Sequence, residues 1–298
     1  MTFNPDSDIS GSNVRKRGRG RGTAIGVGGG GLAVVAVFLI AQFTGIDLSG
    51  IIGGGTGGGS EPAATSLNEQ CQTGEDANAN VECLMAGAGA SMDAYWVENY
   101  GTVSVGEYRT PRFDLFEAST TTGCGAASSA TGPFYCPGDE TLYIDTSFFS
   151  QLRQPPFDTT GGPLAQLYIA AHEWGHHIQA ISGIMESADR TGTGPDSDSV
   201  RIELQADCFA GAWVAGASET EDKNGVTFLE RPTAAQIADA LDAAAAVGDD
   251  RIQAGSGQGV NSEAWTHGSS EQRQRWFNAG REGGPGNCDT FAVDGSQL

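Results

Sequence analysis

Apolar positions fall into a few long blocks separated by polar, glycine-rich stretches. In residues 161–181 (GGPLAQLYIAAHEWGHHIQAI), Leu164, Leu167, Ala171, Ile178 and Ile181 recur at helical spacing. Pro163 suits the first turn of that helix and Gly183 its end. Residues 200–217 read as a second long helix, apolar enough to be mostly buried. Residues 81–99 place Leu84, Met85, Met92, Tyr95 and Trp96 at mixed spacings of three and four, which predicts an amphipathic helix. Another helix is expected from Thr233 to about Val247. A last one is expected from Ser269, where Ser269 and Gln272 form a capping box, to Gly280. Alternation predicts strands over 112–118 and, after a Cys136-Pro137-Gly138 turn, over 140–149. The sum is an α+β domain, mainly helical with a small sheet.

The N-terminal quarter follows none of these periods. Residues 1–22 are polar and then basic, and read as a disordered tail. Residues 23–46 carry no charged side chain, and as a helix 24–46 would span about 35 Å, enough for the hydrocarbon of a bilayer. A single transmembrane helix or signal anchor is one reading. A cleaved signal peptide is the other, because the strongly apolar stretch is short and residues 28–31 are all glycine. Five cations precede the span, which predicts the tail in the cytoplasm and the body outside the membrane, or secreted if the segment is cleaved. Residues 47–67, Gly/Ser-rich over 50–66, form a linker, and the folded domain is expected over 68–298.

Export bears on the six cysteines. In an oxidising space their local spacing suggests disulfides Cys71–Cys83, Cys124–Cys136 and Cys208–Cys288; in a reducing one they would be thiols or metal ligands. The formal net charge is −21, and beyond residue 46 there are 35 acidic side chains against 11 basic ones. Such a body repels phosphate backbones, so nucleic acid is not an expected partner. Oligomeric state is not legible.

Three of the four histidines fall within 172–177. On a helix, positions four apart share a face, so His172 and His176 can aim at one metal ion, while Glu173 lies about 100° around. A catalytic zinc site has three protein ligands and one position open for water. Glu203, on the second long helix, is the candidate third ligand, and Asp207, one turn on, can accept a hydrogen bond from a liganding histidine. The competing reading of these two carboxylates is a solvated helix face paired with Arg201. Zn2+ would lower the pKa of its bound water, and Glu173 would act as general base towards a peptide bond. His177 points away from the metal and is expected in a structural hydrogen bond. His267 can reach the cleft as a catalytic donor or cap the final helix, and both readings stand. Residues 140–149 are the candidate strand for pairing with an extended substrate.

The segments HEWGHHIQ (172–179), ELQADCFAGAW (203–213), GPFYCP (132–137), LYID (142–145) and HGSSEQR (267–273) resemble the bacterial neutral zinc metallopeptidase family. The resemblance runs from about residue 68 to the C-terminus. It implies a zincin-like fold with the sheet beside the active-site helix and a membrane-anchored or exported zinc peptidase acting on peptides or proteins. By position it implies metal ligands at His172, His176 and Glu203 and a catalytic glutamate at Glu173. Two other functions are compatible with the same residues: a non-catalytic exported binding module, or a zinc amidase acting on cell-wall peptides.

Overall fold

The computed structural model describes residues 2–18, 64–155, 157–255 and 259–298. Over these residues the strands are β1 Val14–Arg17, β2 Ala64–Ser66, β3 Arg112–Phe116, β4 Ser119–Thr122, β5 Gly125–Ser128, β6 Phe134–Cys136 and β7 Thr141–Asp145. The helices are α1 Gly74–Ala79, α2 Val81–Asn99, α3 Phe148–Gln151, α4 Pro163–Ile181, α5 Ile184–Ser187, α6 Asp198–Gly216, α7 Ala234–Ala246, α8 Asp249–Gly255 and α9 Ser270–Gly283. The chain is thus α+β. The long helices stand where periodicity puts them: α4 opens on Pro163, and α9 begins at a capping box of Ser269 and Gln272.

One mixed sheet runs in the order β2-β1-β3-β7-β6, and β4 and β5 form a separate hairpin. Helices α4, α6 and α9 pack on one another over a core that includes Trp174, Trp213, Phe209 and Phe277. The expected strand over 140–149 is shorter: it ends at Asp145, and Phe148–Gln151 is helical. All three expected disulfides are formed. Cys208–Cys288 ties α6 to the segment after α9.

The N-terminal expectations need correction. The tail is not a disordered one through residue 18, because Val14–Arg17 is a strand, parallel to β3 and antiparallel to β2, with Arg17 opposite Ala64. The expected linker ends in β2, at Ala64–Ser66. Phe3, Ile9 and Val14 are wholly buried. Helix α2 is accordingly not a one-sided amphipathic helix: most of 83–92 is buried, and its glycines receive the N-terminal segment. A Cβ on Gly87 would stand 2.7 Å from the Phe3 ring, and one on Gly89 2.7 Å from Val14 Cγ2. Among the described residues no helix is long and apolar enough to cross a membrane; the apolar run 23–46, and with it the anchor or signal peptide expected there, lies outside them.

A buried ion pair locks β1 in place. Arg17 Nε donates to Asp114 Oδ2 at 2.6 Å, and the two side chains are 2% and 0% exposed. Arg15 reaches Asp114 Oδ1 at 2.6 Å, and Arg17 Nη2 reaches Tyr143 Oη at 3.0 Å. Removing Arg17 leaves the buried Asp114 with Arg15 alone, a partner whose side chain is one-third exposed. Arg17→Ala is therefore expected to cost about 3–5 kcal/mol, read as a fall in the thermal midpoint; an unchanged midpoint would show that β1 contributes nothing to the fold.

Candidate metal centre

Helices α4 and α6 cross where both carry small residues. A Cβ on Gly175 would lie 3.0 Å from Ala206 Cα and from its carbonyl oxygen, so the glycine inside the HEWGH segment lets the two backbones meet. That crossing brings Glu203 against both histidines. His172 Nε2 lies 3.2 Å from Glu203 Oε2, and His176 Nε2 lies 3.5 Å from Glu203 Oε1. A tetrahedral site with metal–ligand bonds near 2.0–2.1 Å sets its ligand atoms roughly 3.3 Å apart. His172, His176 and Glu203 are all buried, their donor atoms lie within 4.8 Å of one another, and Glu203 Oε1 accepts no hydrogen bond. A buried carboxylate oxygen left so, facing two imidazoles, fits a metal cation and little else.

The outer ring nitrogens are held from behind. His172 Nδ1 bonds Asp207 Oδ1 at 2.9 Å, as expected of Asp207, and His176 Nδ1 bonds Gln179 Oε1 at 2.9 Å. With Nδ1–H donating in each ring, Nε2 is the nitrogen left to give its lone pair to a metal. Asp207 is itself fully buried and accepts from Tyr168 Oη at 2.5 Å and from Arg273 Nε at 2.8 Å. Gln179 is anchored by its amide to Ile202 O at 2.7 Å and Gln205 Oε1 at 3.0 Å. Gln205 in turn donates to Cys288 O at 2.9 Å, beside the Cys208–Cys288 bridge. Gln179→Leu, which fills the same space without the acceptor, is expected to weaken zinc binding about 10–100-fold in a chelator-competition titration. Unaltered affinity would mean that helix packing alone orients His176.

Electrostatics separates the carboxylates. Burial works to raise Glu203 and Asp207, but the histidines beside Glu203, and Arg273 and His172 beside Asp207, hold both below the ordinary carboxylate range. Burial works against a charge on His172, and the Asp207 and Glu203 carboxylates outweigh it, raising its pKa to about 10. Burial and the neighbouring Glu203 push Glu173 up to about 7, against the pull of His172 and a backbone N–H donated by Tyr135 of β6. Glu173 therefore differs in kind from Glu203: it stands outside the trio, near neutrality.

Glu173 lines the same cleft as the trio, a space of about 860 Å³ including its open mouth. Its walls are largely apolar, with Phe134, Phe148, Ile169, Met185 and Val247 among them, and Arg190 stands in its lining. His267 also lines it. Its Nδ1 is 3.2 Å from Asp249 Oδ1, and its Nε2 is buried without a hydrogen-bond partner. The final helix is capped by Ser269, not His267. His177 is apart from the cleft: Nδ1 meets Tyr135 Oη at 3.1 Å and Nε2 meets Arg109 O at 2.6 Å, and burial lowers its pKa to about 4. Arg201 does not pair with Glu203 or Asp207; it reaches the carbonyls of Thr290 and Val293.

The expected substrate strand is corrected by the sheet order. β7 is hydrogen-bonded on both sides, to β3 and β6, and has no free edge. The edge strand is β6, whose Phe134 and Tyr135 line the cleft. Sequence reasoning assigned no part to Tyr168, Gln179 or Arg273, although Gln179 lies three residues after His176 and Tyr168 four before His172, both on the motif helix.

Comparison with known proteins gives the same direction. A family described as "Putative neutral zinc metallopeptidase" matches residues 6–291. The uncharacterized protein Rv2575 of Mycobacterium tuberculosis (strain ATCC 25618 / H37Rv) is 47% identical over 226 residues, 75% of each chain. The uncharacterized protein YpfJ of Escherichia coli (strain K12) is 36% identical over 269 residues, 87% of this chain and 86% of that one. No solved structure matches.

Proposed function

The chain belongs to the neutral zinc metallopeptidase family, and we propose that it hydrolyses peptide bonds at a zinc ion held by His172, His176 and Glu203. The observation that carries this reading is the pairing of a three-ligand trio with a separate buried carboxylate, Glu173, in one cleft. When bound, zinc supplies Lewis acidity, which acidifies water and polarises a carbonyl oxygen. Glu173, a buried carboxylate that is not one of the trio, takes the proton from the attacking water and returns it to the leaving amine. Tyr135 N–H holds the Glu173 carboxylate from β6, while Asp207 and Gln179 keep the two imidazoles turned towards the cleft. Against the burial that works to lower it, the Asp249 carboxylate raises the pKa of His267, and the protonated ring presents Nε2–H to the cleft as a donor for the oxygen that gains charge during attack.

A purely structural zinc is usually closed by four protein ligands and has no use for a poised carboxylate, so the non-catalytic reading leaves Glu173 unexplained. The apolar cleft supports substrates with large apolar side chains next to the scissile bond, whether in proteins or in cell-wall peptides. Three disulfides support export to an oxidising space. The test is metal analysis of the purified chain with cleavage profiling on a peptide library. One zinc per chain is expected, with cleavage beside large apolar residues that a chelator abolishes and added zinc restores. A zinc-loaded chain that cuts no peptide would overturn the proposal.

A further inference from the structure

We propose that residues 2–18 and residues 64–298, which flank the apolar run in sequence, occupy one and the same aqueous compartment. This replaces the expected topology, tail in the cytoplasm and body outside, and it is independent of the catalytic reading.

The N-terminal segment is built into the body at several separate places. Its strand is an interior member of the sheet, between β2 and β3. Phe3 N–H donates to Asn78 Oδ1 at 2.9 Å, and Asn78 Nδ2 returns a bond to Phe3 O at 2.8 Å. Asp8 N donates to Asp222 Oδ2 at 2.6 Å. Arg17 satisfies Asp114, a carboxylate with no solvent exposure at 0%. A tail across a membrane would take both Arg15 and Arg17 away from the buried Asp114, and would uncover α2 where Phe3 and Val14 meet Gly87 and Gly89. The family match also begins at residue 6, ahead of the apolar run, so this segment is part of what defines the family.

The basic cluster that predicted an inside tail is largely committed within the fold. Arg15 and Arg17 bond Asp114, and Lys16 reaches Glu82 at 2.7 Å and Glu117 at 3.1 Å. Arg17 and Ala64 are register partners, so the chain leaves the body and re-enters it at a single place. Any bilayer contact made between those points has both ends on the side of the catalytic domain. That place also lies at the far edge of the sheet from the cleft: β2 and β6 are four strand positions apart, about 19 Å at the usual strand spacing.

The test uses the full chain in cells, with one cysteine added at a time. All six native cysteines are in disulfides, so labelling by a membrane-impermeant maleimide beyond that of the parent chain, run in parallel, reports the added thiol. Gly11→Cys reports on the N-terminal segment, at an exposed position where a Cβ meets nothing within 4 Å. Val105→Cys and Ser296→Cys report on the domain from exposed positions. Labelling of all three in intact cells, or of none until lysis, is the expected result. Labelling of the domain positions with Gly11→Cys protected, or the reverse, would overturn the inference.

Discussion

Replacing Glu173 by glutamine is expected to lower kcat by roughly 10²–10⁴-fold while leaving zinc content and KM nearly unchanged. The substitution keeps the shape of the side chain and an oxygen that can still accept the Tyr135 N–H, and it removes the ability to take and return a proton. Glu173 is not among the three residues whose donor atoms converge, so the metal keeps its ligands. A variant that lost zinc in proportion to activity would reassign Glu173 to the metal, and undiminished turnover would remove it from the reaction.

Asp207→Ala is expected to act on two measurements at once. Asp207 is the carboxylate that meets His172, Tyr168 and Arg273, and it is wholly buried. Its loss leaves the Arg273 guanidinium, 3% exposed, with only a 3.9 Å contact to Glu203 among the acidic groups of the described residues. Leaving a buried charge without its partner costs about 3–5 kcal/mol, visible in the denaturation midpoint. Loss of the hydrogen bond that orients His172 costs a further 10–100-fold or so in zinc affinity, visible in chelator competition even on a variant kept folded by low temperature. Falling stability with unaltered zinc affinity would make Asp207 a packing residue alone.

Much of this was legible from spacing because the information is local. The period of 3.6 residues marked α4 and α6, and the four-residue separation of His172 and His176 needed only helix geometry. Glu203 and Asp207 stood out as carboxylates in an apolar helix, and the three disulfides followed from cysteine spacing. What failed was set by distant partners. Val14–Arg17 reads as part of a basic tail because Asp114, which neutralises Arg17, lies 97 residues away in sequence. The glycines of α2 and Gly175 of α4 mark close backbone approaches, yet nothing local says which segment approaches. The sheet edge that lines the cleft is β6, not the 140–149 segment that spacing points to, because strand order depends on pairing across the whole sheet. Arg273 lay inside a noticed motif, but its role needs Asp207 and Tyr168 from two other helices.

Three residues on two crossing helices are proposed to hold zinc and to leave Glu173 free for proton transfer. Anomalous diffraction at the zinc edge, on crystals of the zinc-loaded protein, tests this most directly. One peak is expected within about 2.0–2.2 Å of His172 Nε2, His176 Nε2 and a Glu203 oxygen, with Glu173 beside it but not bonded. A peak ligated by Glu173, or none between α4 and α6, would contradict it.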